Sequence, residues 1–185
     1  MCDRNIKVAG IVNDSITDGP GMRFTLFVQG CPKRCPGCHN PQTHDFEAGQ
    51  YRTIEDIFKQ IQANPLLSGV TLSGGEPFCQ SKPLIALCEK IIESGLEIAI
   101  YTGETFEELI AENDPDKIKL LSLCDILVDG AFMLEQRNLA LLFRGSENQR
   151  ILNVKESFAQ KHAVAEKSER WGYTEETKDR EKSNV

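Results

Sequence analysis

The chain has 185 residues, of which 40% are hydrophobic and 26% charged, and its formal net charge is −7 at pH 7. This length fits one domain with a hydrophobic core, and the acidic balance argues against a nucleic-acid partner, because phosphate groups are bound by positively charged surfaces. The sequence has no apolar run as long as a signal peptide or a membrane span, which predicts a cytoplasmic protein with no membrane partner.

The predicted elements alternate along the chain. A strand, RFTLFVQG, begins at Arg23 and runs into a cysteine-rich loop, and apolar residues at helical spacing predict a helix over residues 53–64 with Thr53 as its N-cap. Strands GVTLSGG, LEIAIYTG and DILVDGAF then alternate with helices SKPLIALCEKIIESG and TFEELIAEN. This order predicts an α/β fold in which four or five parallel strands with outer helices form an incomplete (β/α) barrel.

Turns rich in glycine and acidic residues follow four of the predicted strands, with the sequences CPGCHN, SGGEP, YTGE and VDGAF. In parallel α/β folds, active sites are assembled at the carboxyl ends of the strands. We therefore expect these four turns to lie at one edge of the sheet and to form the site.

The composition changes near residue 155. Residues 1–155 carry the alternating pattern and are predicted to form the core domain, whereas residues 156–185 form a charged tail with weak periodicity. We expect Trp171 and Tyr173 to make a small docking contact with the core, and the terminal TEETKDREKSNV to be disordered.

Three cysteines, Cys31, Cys35 and Cys38, lie within eight positions. In a reducing compartment this pattern favours metal binding over disulfides, and closely spaced thiolates suit iron–sulfur clusters and zinc. With three protein ligands, one iron of a [4Fe-4S] cluster keeps an open coordination site, as in catalytic metal centres. The alternative is a structural zinc site completed by His39 or His44.

Several motifs together carry a family resemblance. The CxxxCxxC pattern, followed about 35 residues later by GGEP, resembles the radical S-adenosylmethionine superfamily. Reading outward, TDGPGMRFTLFVQGCPKRCPGCHNP, TLSGGEPF, DILVDGAF and FRGSENQRIL occur in this order. Within the superfamily, the chain most resembles the activating proteins of anaerobic ribonucleoside-triphosphate reductase, over residues 11–154.

This resemblance implies how the cofactors are held. Cys31, Cys35 and Cys38 would bind three irons of a [4Fe-4S] cluster, and S-adenosyl-L-methionine would chelate the fourth. Gly37, Cys38 and His39 would line the adenosyl group through their backbone. The position before the last cysteine is commonly aromatic in the superfamily at large, and here it is Gly37.

The resemblance also implies that the later turns bind the cofactor. The loop of Ser73, Gly74, Gly75 and Glu76 would receive the amino group of the methionine moiety. Asp129 in VDG has two interpretations, an acid that caps a backbone turn or a residue near the cofactor.

The resemblance implies two partners, the glycyl-radical subunit of anaerobic ribonucleoside-triphosphate reductase and an electron donor such as reduced flavodoxin. The implied chemistry is a 5′-deoxyadenosyl radical that generates a glycyl radical on the reductase. The alternatives are a pyruvate formate-lyase activating enzyme, which shares DGPGxR, the cysteine triad and GGE, and a non-catalytic iron–sulfur or zinc module.

Other polar motif residues keep two interpretations. The family comparison suggests that TDGPG faces the glycine loop of the partner through Asp18 and Arg23, which could instead be solvated or paired. The polar residues of GSENQR could form a strand edge or bind cofactor or partner; they are Ser146, Asn148, Gln149 and Arg150.

The four other cysteines are not predicted to be cluster ligands. Cys88 and Cys124 lie among apolar residues and are expected to be small buried side chains. Cys79 lies just beyond GGEP, and Cys2 lies near the amino terminus.

Overall fold

The structure is a computed structural model that describes residues 4–173, and it contains one seven-stranded sheet with five α-helices. The strands are β1 (Asn5–Ser15), β2 (Arg23–Val28), β3 (Gln50–Thr53), β4 (Gly69–Gly74), β5 (Glu97–Tyr101), β6 (Ile126–Asp129) and β7 (Arg150–Asn153). The helices are α1 (Ile54–Gln62), α2 (Ser81–Glu93), α3 (Phe106–Glu112), α4 (Pro115–Leu123) and α5 (Val154–Gln160). None of the helices in this part of the chain has the length and apolarity needed to cross a bilayer.

The sheet is mixed, with strand order β3-β1-β2-β4-β5-β6-β7. Strands β2, β4, β5 and β6 are parallel, which confirms the predicted α/β class with four parallel strands and helices between them. Strands β1, β3 and β7 pair antiparallel with their neighbours. The prediction that all strands of the sheet are parallel is therefore wrong. The sheet is open, with β3 and β7 at its edges.

The predicted helix starts are confirmed by their caps. The Thr53 hydroxyl accepts a hydrogen bond from the Asp56 backbone N–H at the start of α1. Thr105 and Glu108 form a reciprocal capping box at the start of α3, which satisfies donors that the first helical turn leaves free. The sequence patterns did not predict β1, β3, α4 or α5, and they gave β7 only as a possible strand edge in GSENQR. Asp114 followed by Pro115 is nevertheless a recognisable helix start.

The two faces of the sheet bury different side chains, because successive residues of a strand point to opposite sides. One face packs against the helices and is apolar, with Phe24, Leu26, Val70, Leu72, Ile98, Ile100 and Leu127 in the main core. We call the other side the inner face; the strand registers place on it Arg23, Thr25, Thr71, Ala99, Tyr101, Ile126, Val128 and Ile151.

The segment after α5 folds back along the sheet. The Asn153 N–H donates to the Val164 carbonyl at 2.9 Å, and the Glu166 N–H donates to the Ile151 carbonyl at 2.8 Å. Trp171 is buried on the inner face, so its predicted docking contact is confirmed. The boundary predicted at residue 155 falls within α5, and the predicted disordered residues 174–185 lie outside the described residues.

Candidate active site

The three cysteines lie on the loop that leaves the carboxyl end of β2, as predicted. All three thiols are free and partly buried, and partial burial raises the pKa of the Cys31 thiol. The Asn40 backbone N–H donates to the Cys38 sulfur at 3.4 Å. Gly37, with a φ of 71°, allows the turn between Cys35 and Cys38, where a Cβ would meet Leu134 at 2.9 Å.

Hydrogen bonds hold the two ends of the cysteine loop together. The N–H groups of Gly30 and Cys31 donate to the carbonyls of Thr43 and His44, at 2.8 Å and 3.2 Å. The Gln29 side chain adds donations to two further carbonyls of the same return segment. The loop is therefore anchored at its base by bonds that do not involve the cysteine sulfurs.

The turn after β4 packs directly on this base. The N–H groups of Gly75 and Glu76 each donate at 2.8 Å, to the carbonyls of Val28 and Gly30. The approach is so close that a Cβ on Gly75 would lie 2.3 Å from the Gly30 oxygen. Glycine is therefore required at position 75 for contact between the two backbones.

The Glu76 side chain points into the protein and is 1% exposed. Its carboxylate accepts hydrogen bonds from the Thr102 hydroxyl at 2.9 Å and from the N–H groups of Gly103 and Phe78 at 3.0 Å and 3.2 Å. Burial raises the pKa of Glu76 from 4.5 to about 7. The side chain therefore joins the turns after β4 and β5.

A cavity of about 400 Å³ lies beside the cysteine loop. It brings together the predicted residues Cys38, His39 and Ser73 with Asp18 of the TDGPG turn. The cavity is also lined by residues that were not predicted as site residues from the sequence, among them Tyr101, Phe132, Phe143 and Arg144. The YTGE turn was the available signal for Tyr101. A larger cavity, about 850 Å³, is lined by other residues at the start of α2 and contains none of the predicted site residues.

Asp18 of the TDGPG turn and Arg23, the first residue of β2, have different surroundings. Asp18 lines the cavity, where its carboxylate accepts hydrogen bonds from Ser15 at 2.5 Å and Thr25 at 3.1 Å. Arg23 is fully buried, and burial lowers the pKa of its guanidinium despite the ion pair with Glu97 at 2.8 Å. The prediction that Arg23 faces a partner is wrong, whereas the alternative of a paired arginine is confirmed.

Asp129 acts as a cap and as an ion-pair partner. It is fully buried, accepts a hydrogen bond from the Phe106 N–H at 2.8 Å, and forms a bidentate pair with Arg150. Glu107 also pairs with Arg150, which lowers the pKa of Glu107. Both carboxylate oxygens of Asp129 are thus engaged within the protein.

The segment between β6 and β7 forms one wall of the cavity. The Gln149 side chain accepts from the Gly145 N–H at 2.9 Å and donates to the Gly130 carbonyl at 3.1 Å. Asn148 donates to the Ala131 carbonyl at 2.8 Å, and the Ser146 hydroxyl accepts from the Met133 N–H at 3.2 Å. The polar residues of GSENQR therefore hold this wall together, and Gln149 also lines the cavity. The wall contacts the cysteine loop, because the His39 and Phe132 rings pack with centroids 4.9 Å apart.

Comparison with known proteins gives the family of the chain. A family model described as a 4Fe-4S single cluster domain matches residues 17–152. The anaerobic ribonucleoside-triphosphate reductase-activating protein of Salmonella typhi is 38% identical over 142 residues, which cover 72% of this chain and 90% of that protein. The chain belongs to this family of activating proteins.

Two further matches are weaker. The pyruvate formate-lyase-activating enzyme of Clostridium pasteurianum is 34% identical over 117 residues, which cover 58% of this chain and 49% of that enzyme. The crystal structure of QueE from Escherichia coli matches with a TM-score of 0.48 and 18% identity, covering 55% of this chain and 53% of that one.

The donor atoms of the cysteine loop are of the kind that binds an iron–sulfur cluster. Three thiols lie on one anchored loop, and one sulfur already accepts a backbone N–H bond of the kind that stabilises cluster ligands. Among residues 4–173, no three cysteine, histidine or carboxylate side chains lie close enough together to hold a metal ion. The sulfurs therefore have to converge when the cluster binds. Cys88 and Cys124 are buried core residues as predicted.

Proposed function

We propose that this protein activates an anaerobic ribonucleoside-triphosphate reductase by generating a glycyl radical on it. The proposal rests on membership of the activating-protein family and on one observation of geometry. A single cavity is lined by Cys38 of the cysteine loop, Ser73 of β4 and Asp18 of the TDGPG turn. A cofactor bound at the cysteine loop and a peptide held at the turn would meet there.

We assign the cluster and the adenosyl group to the cysteine loop. Cys31, Cys35 and Cys38 would hold a [4Fe-4S] cluster, and the backbone of Gly37, Cys38 and His39 would face the adenosyl group of S-adenosylmethionine. The bound cluster would supply the electron for cleavage of S-adenosylmethionine to methionine and a 5′-deoxyadenosyl radical, which would take a hydrogen atom from a glycine α-carbon of the reductase and leave as 5′-deoxyadenosine.

The second turn would receive the methionine moiety. Backbone groups of Ser73, Gly74 and Gly75 are suited to its amino group, whereas the Glu76 side chain keeps this turn in place from behind. Asp129 would act at a distance, by holding α3 and β7 at the rim of the cavity.

The residues of the chain itself would bind and orient the cofactor and the substrate peptide, and would exclude water from them. The inner face and the wall between β6 and β7 enclose the cavity, and we infer that the open sheet corresponds to the incomplete barrel of radical S-adenosylmethionine enzymes. Tyr101 donates to the Phe143 carbonyl at 2.8 Å and closes the cavity between sheet and wall. An external donor such as reduced flavodoxin would supply the electron.

The test is anaerobic electron paramagnetic resonance on the iron-reconstituted protein with reductant, S-adenosylmethionine and a candidate anaerobic ribonucleotide reductase. The 5′-deoxyadenosine formed is quantified in the same sample. We expect a glycyl doublet on the reductase together with deoxyadenosine. A parallel sample contains pyruvate formate-lyase in place of the reductase, and a glycyl doublet in that sample alone would assign the function to that partner. Neither product from a cluster-loaded protein would favour a non-catalytic iron–sulfur module.

A further inference from the structure

The segment that ends at Trp171 lies outside the residues that the family model matches. The match ends at residue 152, whereas the chain continues through α5 and returns across the inner face of the sheet. Trp171 is 2% exposed and packs against Ala99, Val128 and Ile151. This segment therefore adds a structural layer to the side of the sheet that carries the cavity.

Trp171 contacts the TDGPG turn directly. A Cβ placed on Gly19 would lie 2.8 Å from the Cη2 atom of Trp171, so the indole touches the turn where a side chain is missing. The Arg23 guanidinium lies 5.4 Å from the centre of the Trp171 ring, a favourable cation–π distance. The Phe143 ring packs edge-on against the indole at 5.5 Å, and Phe143 lines the cavity.

A chain of hydrogen bonds continues from Arg23 to Asp18. The Arg23 Nε donates to the Thr71 hydroxyl at 2.7 Å, and that hydroxyl donates to the Asp18 carbonyl at 2.7 Å. On the other side, Arg23 and Arg170 both pair with Glu97, at 2.8 Å and 3.3 Å. The position of the Asp18 backbone is thus coupled to the residues that flank Trp171.

The indole is held by packing. Its Nε1–H has no hydrogen-bond partner among the described residues, so shape and the cation–π contact account for its position. A smaller aromatic ring can keep the cation–π contact with Arg23 but lacks the Cη2 atom that touches Gly19, whereas an aliphatic truncation removes both interactions.

We propose that Trp171 is a positioning residue that fixes the TDGPG turn through Gly19 and Arg23, and thereby sets where Asp18 stands in the cavity. The role in catalysis rests on the proposed function, because the turn is the part of the cavity that would hold the peptide of the reductase. Trp171 does not line the cavity, so it acts through the turn and not on the reacting atoms.

The experiment compares Trp171→Ala, Trp171→Phe and the matched control Phe158→Ala. Phe158 packs edge-on against Phe106 at 5.9 Å on the helix side of the sheet, so its truncation removes an aromatic contact away from the turn. Two quantities are measured on the full-length protein: hydrogen exchange of residues 16–22, and glycyl spins on the reductase per deoxyadenosine formed.

For Trp171→Ala we expect exchange in residues 16–22 to rise roughly tenfold, and spins per deoxyadenosine to fall roughly tenfold or more, since small misplacements at a reacting centre are costly. Trp171→Phe loses the Cη2 contact with Gly19 but keeps an aromatic ring beside Arg23, so both of its values should fall between those of the wild type and Trp171→Ala. Phe158→Ala should leave the ratio unchanged. A folded Trp171→Ala protein with wild-type exchange and ratio would overturn the proposal, as would an equal loss in Phe158→Ala.

If Trp171→Ala does not fold, Trp171→Leu keeps an apolar side chain at this position and is judged by the same measurements. The exchange measurement needs no reductase. A wild-type protein that forms deoxyadenosine but no glycyl radical would therefore count against the proposed function, while the exchange of residues 16–22 would still decide whether Trp171 positions the turn.

Discussion

The carboxylate of Glu76 and the hydroxyl of Thr102 are joined by a buried hydrogen bond of 2.9 Å. This bond connects the turn after β4 to the turn after β5, and the Gly103 N–H extends the connection at 3.0 Å. The Glu76 backbone meanwhile donates to the Gly30 carbonyl at the base of the cysteine loop. One residue thus joins three of the turns that form the site.

Stability should depend on pH through Glu76. Its pKa rises from 4.5 to about 7 on folding, so the folded state binds more protons in this range, and stability falls as pH rises from 4.5 to about 7, by roughly 3 kcal/mol. Glu76→Gln removes this titration. The free energy of unfolding of the wild type minus that of Glu76→Gln, measured by anaerobic urea unfolding, should fall over this window and level off above it. A difference that grows with pH would contradict the assigned shift.

Gly75→Ala should disrupt the contact between the β4 turn and the cysteine loop. The new methyl group would lie 2.3 Å from the Gly30 oxygen, a backbone overlap that only a shift of one turn can relieve, with a cost of roughly 1–3 kcal/mol. Bound iron per chain after reconstitution and the urea midpoint should both fall. Gly10→Ala is the control, because a Cβ there meets nothing within 4 Å.

Each loop cysteine should be required for the cluster. Cys31→Ser, Cys35→Ser and Cys38→Ser are expected to lose the cluster's visible absorbance and to form no deoxyadenosine above background, since each removes a thiolate ligand. Cys79→Ser changes a free, exposed cysteine outside the loop and serves as the control. A Cys35→Ser protein with full iron content and cleavage would refute the ligand assignment.

Arg150→Ala should destabilise the fold by leaving the buried Asp129 carboxylate without its charged partner, at a cost of roughly 3 kcal/mol. Asp129 has a side chain that is 1% exposed, whereas Glu107 is 55% exposed. Glu107→Gln should therefore change the urea unfolding free energy by less than about 1 kcal/mol. Adding Asp129→Asn to Arg150→Ala should recover part of the loss, and a double variant with no recovery would argue against an unpaired charge as the cause.

Asp18→Ala should reduce glycyl-radical formation on the reductase more than it reduces deoxyadenosine formation, because Asp18 stands on the side of the cavity formed by the TDGPG turn. The ratio of the two products is the measurement. Asp14→Ala removes an exposed carboxylate four residues earlier, on β1, and should leave the ratio at the wild-type value. Equal losses of both products would place Asp18 with the cofactor instead.

Local patterns were sufficient for the central part of the fold. The four parallel strands and α1 to α3 have buried runs or caps that can be recognised from sequence. Strand β3 could not be found this way, because all four of its residues are exposed and carry no apolar alternation. The pairing of β1 and β7 with the parallel strands depends on tertiary contacts that no local pattern reports.

The sequence predicted which turns form the site. It did not predict what the individual side chains of those turns contact. Strand-end turns meet at one edge of any parallel sheet, which is why Cys38, His39 and Ser73 were expected together. The burial of Arg23 under Trp171 joins residues 148 positions apart in the sequence, so it could not be read from either motif. The same applies to the inward orientation of Glu76, which depends on donors from the next strand's turn.

The anchoring of the cysteine loop has a consequence for repair of the protein after oxidative damage. Its base is fixed by backbone bonds from Gly30 and Cys31 and by the Gln29 side chain, without any contribution from sulfur. Loss of the metal to oxygen would therefore release the middle of the loop while its two ends stay in register. The damaged protein would remain a folded template, and iron and sulfide delivered to it could restore function without new synthesis of the chain.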